Sequence, residues 1–171
     1  ERFIGQALNL DPTNIEYLSN FGEACRRSRN FSVAVKKMQD AVAIAEQQKS
    51  SKFFMTLGNL YKDQKLPEMS LEFFRKAFEF DLENALLFSN VFHNEMVLCD
   101  WSEFEGRLVA MDRFINTATN GLSPFTALSL IDKPEKHLRI AELFGRDHFF
   151  QAESAATPQK MGLEKPKASP V

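Results

Sequence analysis

Apolar residues recur at intervals of three and four along most of the chain, the spacing of one helix face. Phe53, Phe54, Leu57, Leu60 and Tyr61 form one such face, and Gly58 within it lets a neighbouring helix approach closely. Leu71, Phe74, Ala77 and Phe78 form a second, with Pro67 suited to its first turn and Asp81 placed to cap the helix that follows. Ala34, Met38 and Ala41 repeat the stripe after Asn30. Further on, Trp101, Phe104, Leu108, Met111, Ile115 and Ala118 mark an amphipathic helix. Asp100 and Glu103 stand as its capping box, and Asn120-Gly121 as a left-handed close. Ser123 to Ile131 reads as a loop or short extended piece, and Asp132, Pro134 and Glu135 open a last helix that ends at Gly145. No window shows the β-branched alternation of a strand.

The pattern repeats. Leu18-Ser19-Asn20-Phe21-Gly22 aligns with Phe54-Met55-Thr56-Leu57-Gly58, the glycines 36 residues apart, and Phe88-Ser89-Asn90-Val91-Phe92 aligns again with Phe92 in the glycine place. Alanines at positions 7, 41 and 77 keep the period, and Asp11-Pro12-Thr13-Asn14 returns as Asp81-Leu82-Glu83-Asn84. With Tyr61, Phe74 and Ala77 this resembles the tetratricopeptide repeat, a pair of antiparallel helices about 34 residues long. Departures are Cys25 for a tyrosine, Ser70 for an alanine, and a repeat end at Glu46–Ser50 that is two residues longer.

The expected fold is therefore all-α: a tetratricopeptide α-solenoid, a right-handed superhelix of helix pairs, followed by connector helices and a disordered linker. Repeats occupy 1–94, as a half repeat at 1–12, repeats at 13–48 and 49–84, and a partial repeat at 85–98. A helical connector occupies 95–145 and a flexible linker 146–171, where Pro158, Pro166 and Pro170 alternate with lysines. A helix over about 2–10 without its partner, and Glu1 in place of Met, suggest a chain that starts inside a longer array.

Composition sharpens this. The 18 Leu and 16 Ala outweigh 7 Val and 6 Ile, as helices prefer. A net charge of -2 gives no broad footprint for nucleic acid. Two cysteines, without Cys/His clustering, point to neither a disulfide framework nor a metal site, and a reducing, cytoplasmic setting is expected. No stretch approaches a membrane span. The 17 Phe read as packing between helices, with Phe3, Phe149 and Phe150 as apolar surface near the ends.

A more specific resemblance sits at the break in the period. Cys99-Asp100-Trp101 after the last repeat helix, a long helix, then Pro124-Phe125-Thr126-Ala127-Leu128 and Asp132-Lys133-Pro134 are similar to the junction between repeats and catalytic region in protein O-GlcNAc transferases. The resemblance implies a parent glycosyltransferase that moves N-acetylglucosamine from UDP-GlcNAc to Ser/Thr of acceptor proteins. It implies no cofactor and no catalytic residue in this fragment, because the two lobes holding the UDP-sugar would follow it. Thr126 stands where many members carry a histidine, and a threonine hydroxyl is no proton acceptor near neutral pH.

The resemblance also implies a groove. In that family an asparagine two residues before each glycine grips the backbone of a threaded polypeptide; those positions hold Asn20, Thr56 and Asn90, with Asn59 one residue after Gly58. A carboxamide donates and accepts, so it can pair with a peptide group without reading side chains. The plain alternative is a polar residue on an exposed helix face. Among the rest, Cys99 reads as packing and Trp101 as a core anchor for the connector. His93 reads as a surface residue, and His137 and His148 lack ligand partners. The Arg26–Arg29 run suits a helix C-terminus. The competing reading is a stand-alone adaptor of the same fold. A carboxylate clamp is disfavoured there, because its places hold Ser19, Glu23 and Thr56. A complete small enzyme lacks a nucleophile, base and phosphate loop in one place. The resemblance leaves an oligomer through the repeats possible, with no residue here arguing for it.

Overall fold

The computed structural model describes Leu8, residues 10–117 and residues 121–153, with side chains in the last helix described as far as Arg146. The elements are α1 (Ile15–Arg27), α2 (Phe31–Gln39), α3 (Val42–Gln47), α4 (Ser51–Asp63), α5 (Pro67–Phe80), α6 (Ala85–Val97), α7 (Phe104–Thr117), α8 (Pro124–Leu128) and α9 (Pro134–Glu153). No strand occurs among the described residues. Of the expected first helix at 2–10 only Leu8 and Leu10 are described, both helical; its other residues (Phe3 included), Ala118, Asn120 and the tail from 154 onward lie outside the described residues. So do the side chains of His148, Phe149 and Phe150.

Helices α1 with α2–α3, and α4 with α5, form two antiparallel pairs in which glycine sets the spacing. A Cβ on Gly58 would stand 2.8 Å from the Phe74 ring, and one on Gly22 would stand 2.8 Å from the Met38 sulfur. The stripes named from the sequence are the core: Phe53, Phe54, Leu57, Leu60, Phe74, Ala77, Ala34, Met38 and Ala41 are buried. The sequence stripe omitted Phe73, which stacks on Tyr61 at 5.3 Å. The second helix of the first pair breaks at Asp40-Ala41, where Ala41 N–H bonds the Met38 carbonyl three residues back.

One backbone device recurs with the period. Each first helix ends in a residue at positive φ: Arg29 at 61°, Lys65 at 63° and Cys99 at 56°. The next N–H bonds back five residues, from Asn30 to Cys25, Leu66 to Tyr61 and Asp100 to Glu95, at 2.8 to 3.0 Å. This is the Schellman close, which normally uses glycine. Cys99, exposed, is thus a turn residue, not a packing one as expected.

The caps also differ from expectation. Asp81 does not cap α6: Asn84 does, accepting from Leu87 N–H at 3.1 Å, while Asp81 accepts from the Asn84 side chain at 2.9 Å. Asp11 and Asn14 divide the work in the same way at α1. Asp100 does not cap a helix either. It folds a local turn through Ser102 N–H and Oγ, and α7 begins four residues after it, at Phe104.

Helix α6 carries apolar residues on two faces and buries both. Leu87 and Val91 join the core of the repeats, while Ala85, Phe88 and Phe92 join a second core with Met111, Phe114, Ile115, Leu122, Ala127 and Ile140. Where the earlier pairs have glycine, Phe92 packs 5.7 Å from Phe104, and Phe88 packs 4.9 Å from Phe114. Rings therefore separate α6 and α7 where a glycine brings α4 and α5 together. The structure corrects four connector expectations. Trp101 is 54% exposed, resting edge-on against Phe104, and is no core anchor. Residues 124–128 are helical, not extended. Gly121 has no positive φ; instead its missing Cβ admits the backbone of Phe144, whose N would lie 2.4 Å away. And α9 does not stop at Gly145 but continues to Glu153. The 94/95 boundary falls within α6 and the 145/146 boundary within α9.

Candidate functional site

The candidate groove is the set of faces of α1, α4 and α6 that the second helices leave uncovered. Asn20, Asn59 and Asn90 are half-buried there. Lys52 at the start of α4 donates to Asn20 Oδ1 at 3.0 Å, and Lys62 near its end donates to Asn90 Oδ1 at 3.4 Å. Both bonds use the carboxamide oxygen, which orients the amide and leaves its N–H groups as donors. Thr56 does not join them. It is 1% exposed, its hydroxyl donates to the Lys52 carbonyl at 3.0 Å, and its methyl faces Gly22. The ladder position is filled there by inter-helix packing. Ser19 and Ser89 are buried too, each donating to a carbonyl one turn back.

The connector meets this groove at α6. Ser123 N–H donates to Ser89 Oγ at 3.0 Å, and Phe125, 74% exposed, sits edge-on to His93 at 6.2 Å. The Pro124-Phe125 element thus lies beside the last repeat helix, with Thr126 buried beneath it. His93 is half-buried. Burial, and then the charge of Lys62, hold its pKa below the usual 6.5. Burial lowers Lys62 as well, with neighbouring Asp63 opposing. His137 is tied to the Ile131 carbonyl at 2.6 Å.

Sequence reasoning missed the polar centre of the junction. Glu95, on α6, is 3% exposed and accepts from Arg107 Nε and Nη2 at 2.9 and 2.8 Å and from Arg75 at 3.0 Å. Arg75 also reaches Asp100 at 3.4 Å. Hydrogen bonds from Ser102, with Arg75 adding to them, hold the Asp100 carboxyl below its usual 3.8. One carboxylate therefore clasps α5, α6 and α7 together. The only advance signal was that Glu95 is the one acidic residue of α6. Cys99 and Asp100 border this clasp, so the Cys-Asp-Trp element is a structural corner. Among the described residues no cluster of His, Cys, Asp and Glu could hold a metal ion, and no helix is long and apolar enough to cross a membrane.

These features define an all-helical solenoid of the tetratricopeptide type with helical connector elements packed on its last repeat. A solved structure of similar fold is the MamA RS-1 ArsTM double mutant, itself a helical protein of this type, at TM-score 0.54 and 18% identity. The match covers 64% of this chain and 62% of that one. At that identity the likeness concerns the fold alone. No family model matches the chain, and no curated protein does.

Proposed function

We propose that this chain is a protein-interaction module that binds an extended polypeptide along the open faces of α1, α4 and α6. The observation that carries this is the pair of lysine-held carboxamides, Asn20 and Asn90, at equivalent positions of separate repeats. Each offers N–H donors to a passing backbone carbonyl. The direct test compares binding of unstructured acceptor peptides by the chain and by Asn20→Ala/Asn90→Ala. Affinity should fall at least fivefold; unchanged affinity removes the groove.

The finer proposal is that the module serves an O-GlcNAc transferase-like enzyme, with UDP-GlcNAc as donor for separate catalytic lobes and acceptor proteins as partners. Its support is the resemblance at Cys99-Asp100-Trp101 and Pro124-Phe125, which lie where repeats give way to connector. A stand-alone adaptor shares the groove and fits the fold equally well. The coding sequence after Val171 separates the two: alternating strand–helix sequence supports the transferase, and a stop codon there leaves the adaptor.

A further inference from the structure

A pocket of about 280 Å³ opens between the C-terminal ends of α4 and α6, lined by Lys62, Lys65, Pro67, His93, Asn94 and Val97. Lys62 is half-buried, donates to Asn90 and lies over the Phe74 ring at 5.5 Å. Among the described residues no carboxylate lies within ion-pair distance of its Nζ. Asp63, next in sequence, turns instead to Arg26 at 3.5 Å, and Glu23 pairs with Arg26 too. Asp63 and Glu23 attract this partly desolvated ammonium only from a distance while their contacts go to Arg26, whose charge opposes them, so an anion brought by a ligand is favoured in direct contact.

We propose that this pocket receives the carboxylate of an aspartate or glutamate side chain in a peptide lying along the groove, with Lys62 as its charge partner. The inference rests on the peptide-binding reading above. His93 and Asn94 form polar walls, and Pro67 and Val97 fit the methylenes of the incoming side chain. A carboxylate suits the site better than a phosphate. Burial and Lys62 favour the neutral form of His93, Lys65 is exposed to screening water, and no guanidinium fork lines the pocket, so one ammonium faces one negative charge.

The test uses three synthetic peptides, acetyl-Ala-Thr-Glu-Val-Ala-amide, its Gln counterpart and its phosphoserine counterpart, titrated into the full chain while the His93 ring is followed by NMR. The Glu peptide should bind at least fivefold tighter than the Gln peptide, should raise the His93 pKa on saturation, and should lose its advantage in Lys62→Met. Equal Glu and Gln affinities, or a preference that survives Lys62→Met, overturns the pocket and leaves the groove standing. A stronger phosphoserine peptide overturns the carboxylate assignment. Failure of every peptide to bind overturns the pocket and the groove together. Should Lys62→Met unfold, the His93 titration of the unaltered chain decides.

Discussion

Glu95 accepts both arms of the Arg107 guanidinium, at 2.9 and 2.8 Å, in the wall between repeat and connector. Removing one partner of a fully buried pair costs about 3–5 kcal/mol. Here the two arginines reach water, with side chains 22% and 46% exposed, so the loss is smaller. Glu95→Gln should lower stability by about 1–3 kcal/mol in urea unfolding. Arg75→Met, at the wetter end, should cost under about 1 kcal/mol. A larger loss at Arg75 than at Glu95 contradicts this ordering.

Two connector glycines should respond in opposite senses to alanine. At Gly121 the new Cβ meets backbone, the N and Cα of Phe144 at 2.4 and 2.5 Å, and backbone in a helix cannot rotate aside. Gly121→Ala should cost about 3 kcal/mol. At Gly106, within α7, the nearest atom is the Glu103 carboxylate tip at 3.8 Å. Gly106→Ala should raise stability by about 0.5–1 kcal/mol through helix propensity. Thermal unfolding of the two variants reads both signs.

The left-handed corners predict a sharp residue dependence. Cys99 holds φ 56° without being glycine, which costs roughly 1–2 kcal/mol of strain. Cys99→Gly should therefore leave stability unchanged or slightly higher, while Cys99→Val should lower it by about 1–2 kcal/mol. An inert Cys99→Val would mean that this corner is not held in the left-handed form in solution.

Acid should act through His93 before it acts on Asp100. The His93 pKa lies below 6.5 in the fold, so the unfolded chain takes the proton first as pH falls. Its contribution is intact above about 6.5 and is lost as pH drops through the window down to the folded value. Asp100 is depressed below 3.8, so its contribution holds above that value and is lost as pH falls through the folded value. NMR titration should place His93 below 6.5, and Lys62→Met should move it upward by removing the positive neighbour.

What was legible in the sequence was whatever obeys a period. The Phe53-to-Tyr61 stripe, Gly58, and the Ala34/Met38/Ala41 series are written in i, i+3, i+4 spacing, and each is buried as that spacing requires. What was not legible depends on which neighbour arrives. Thr56 and Asn20 occupy the same register position, yet one is buried and the other half-open. Trp101 looked like an anchor because it falls in phase with Phe104, but α7 starts only at Phe104, so the phase does not extend back to it. Glu95 carried little signal, since its partners come from 20 residues before and 12 after.

Phe92 makes the boundary between the two cores testable. It fills the place of Gly22 and Gly58 with a ring, 1% exposed, that belongs to the core shared by α6, α7, α8 and α9. Phe92→Ala should cost about 3–5 kcal/mol, the usual loss for emptying a fully buried phenylalanine site. The loss should be local in hydrogen exchange: amides of α7 to α9 lose protection while those of α4 and α5 keep theirs. Leu57→Ala, in the core of the repeats, should cost about 2–5 kcal/mol and show the reverse pattern. Uniform loss of protection in both variants would mean that α6 couples the two cores into one cooperative unit.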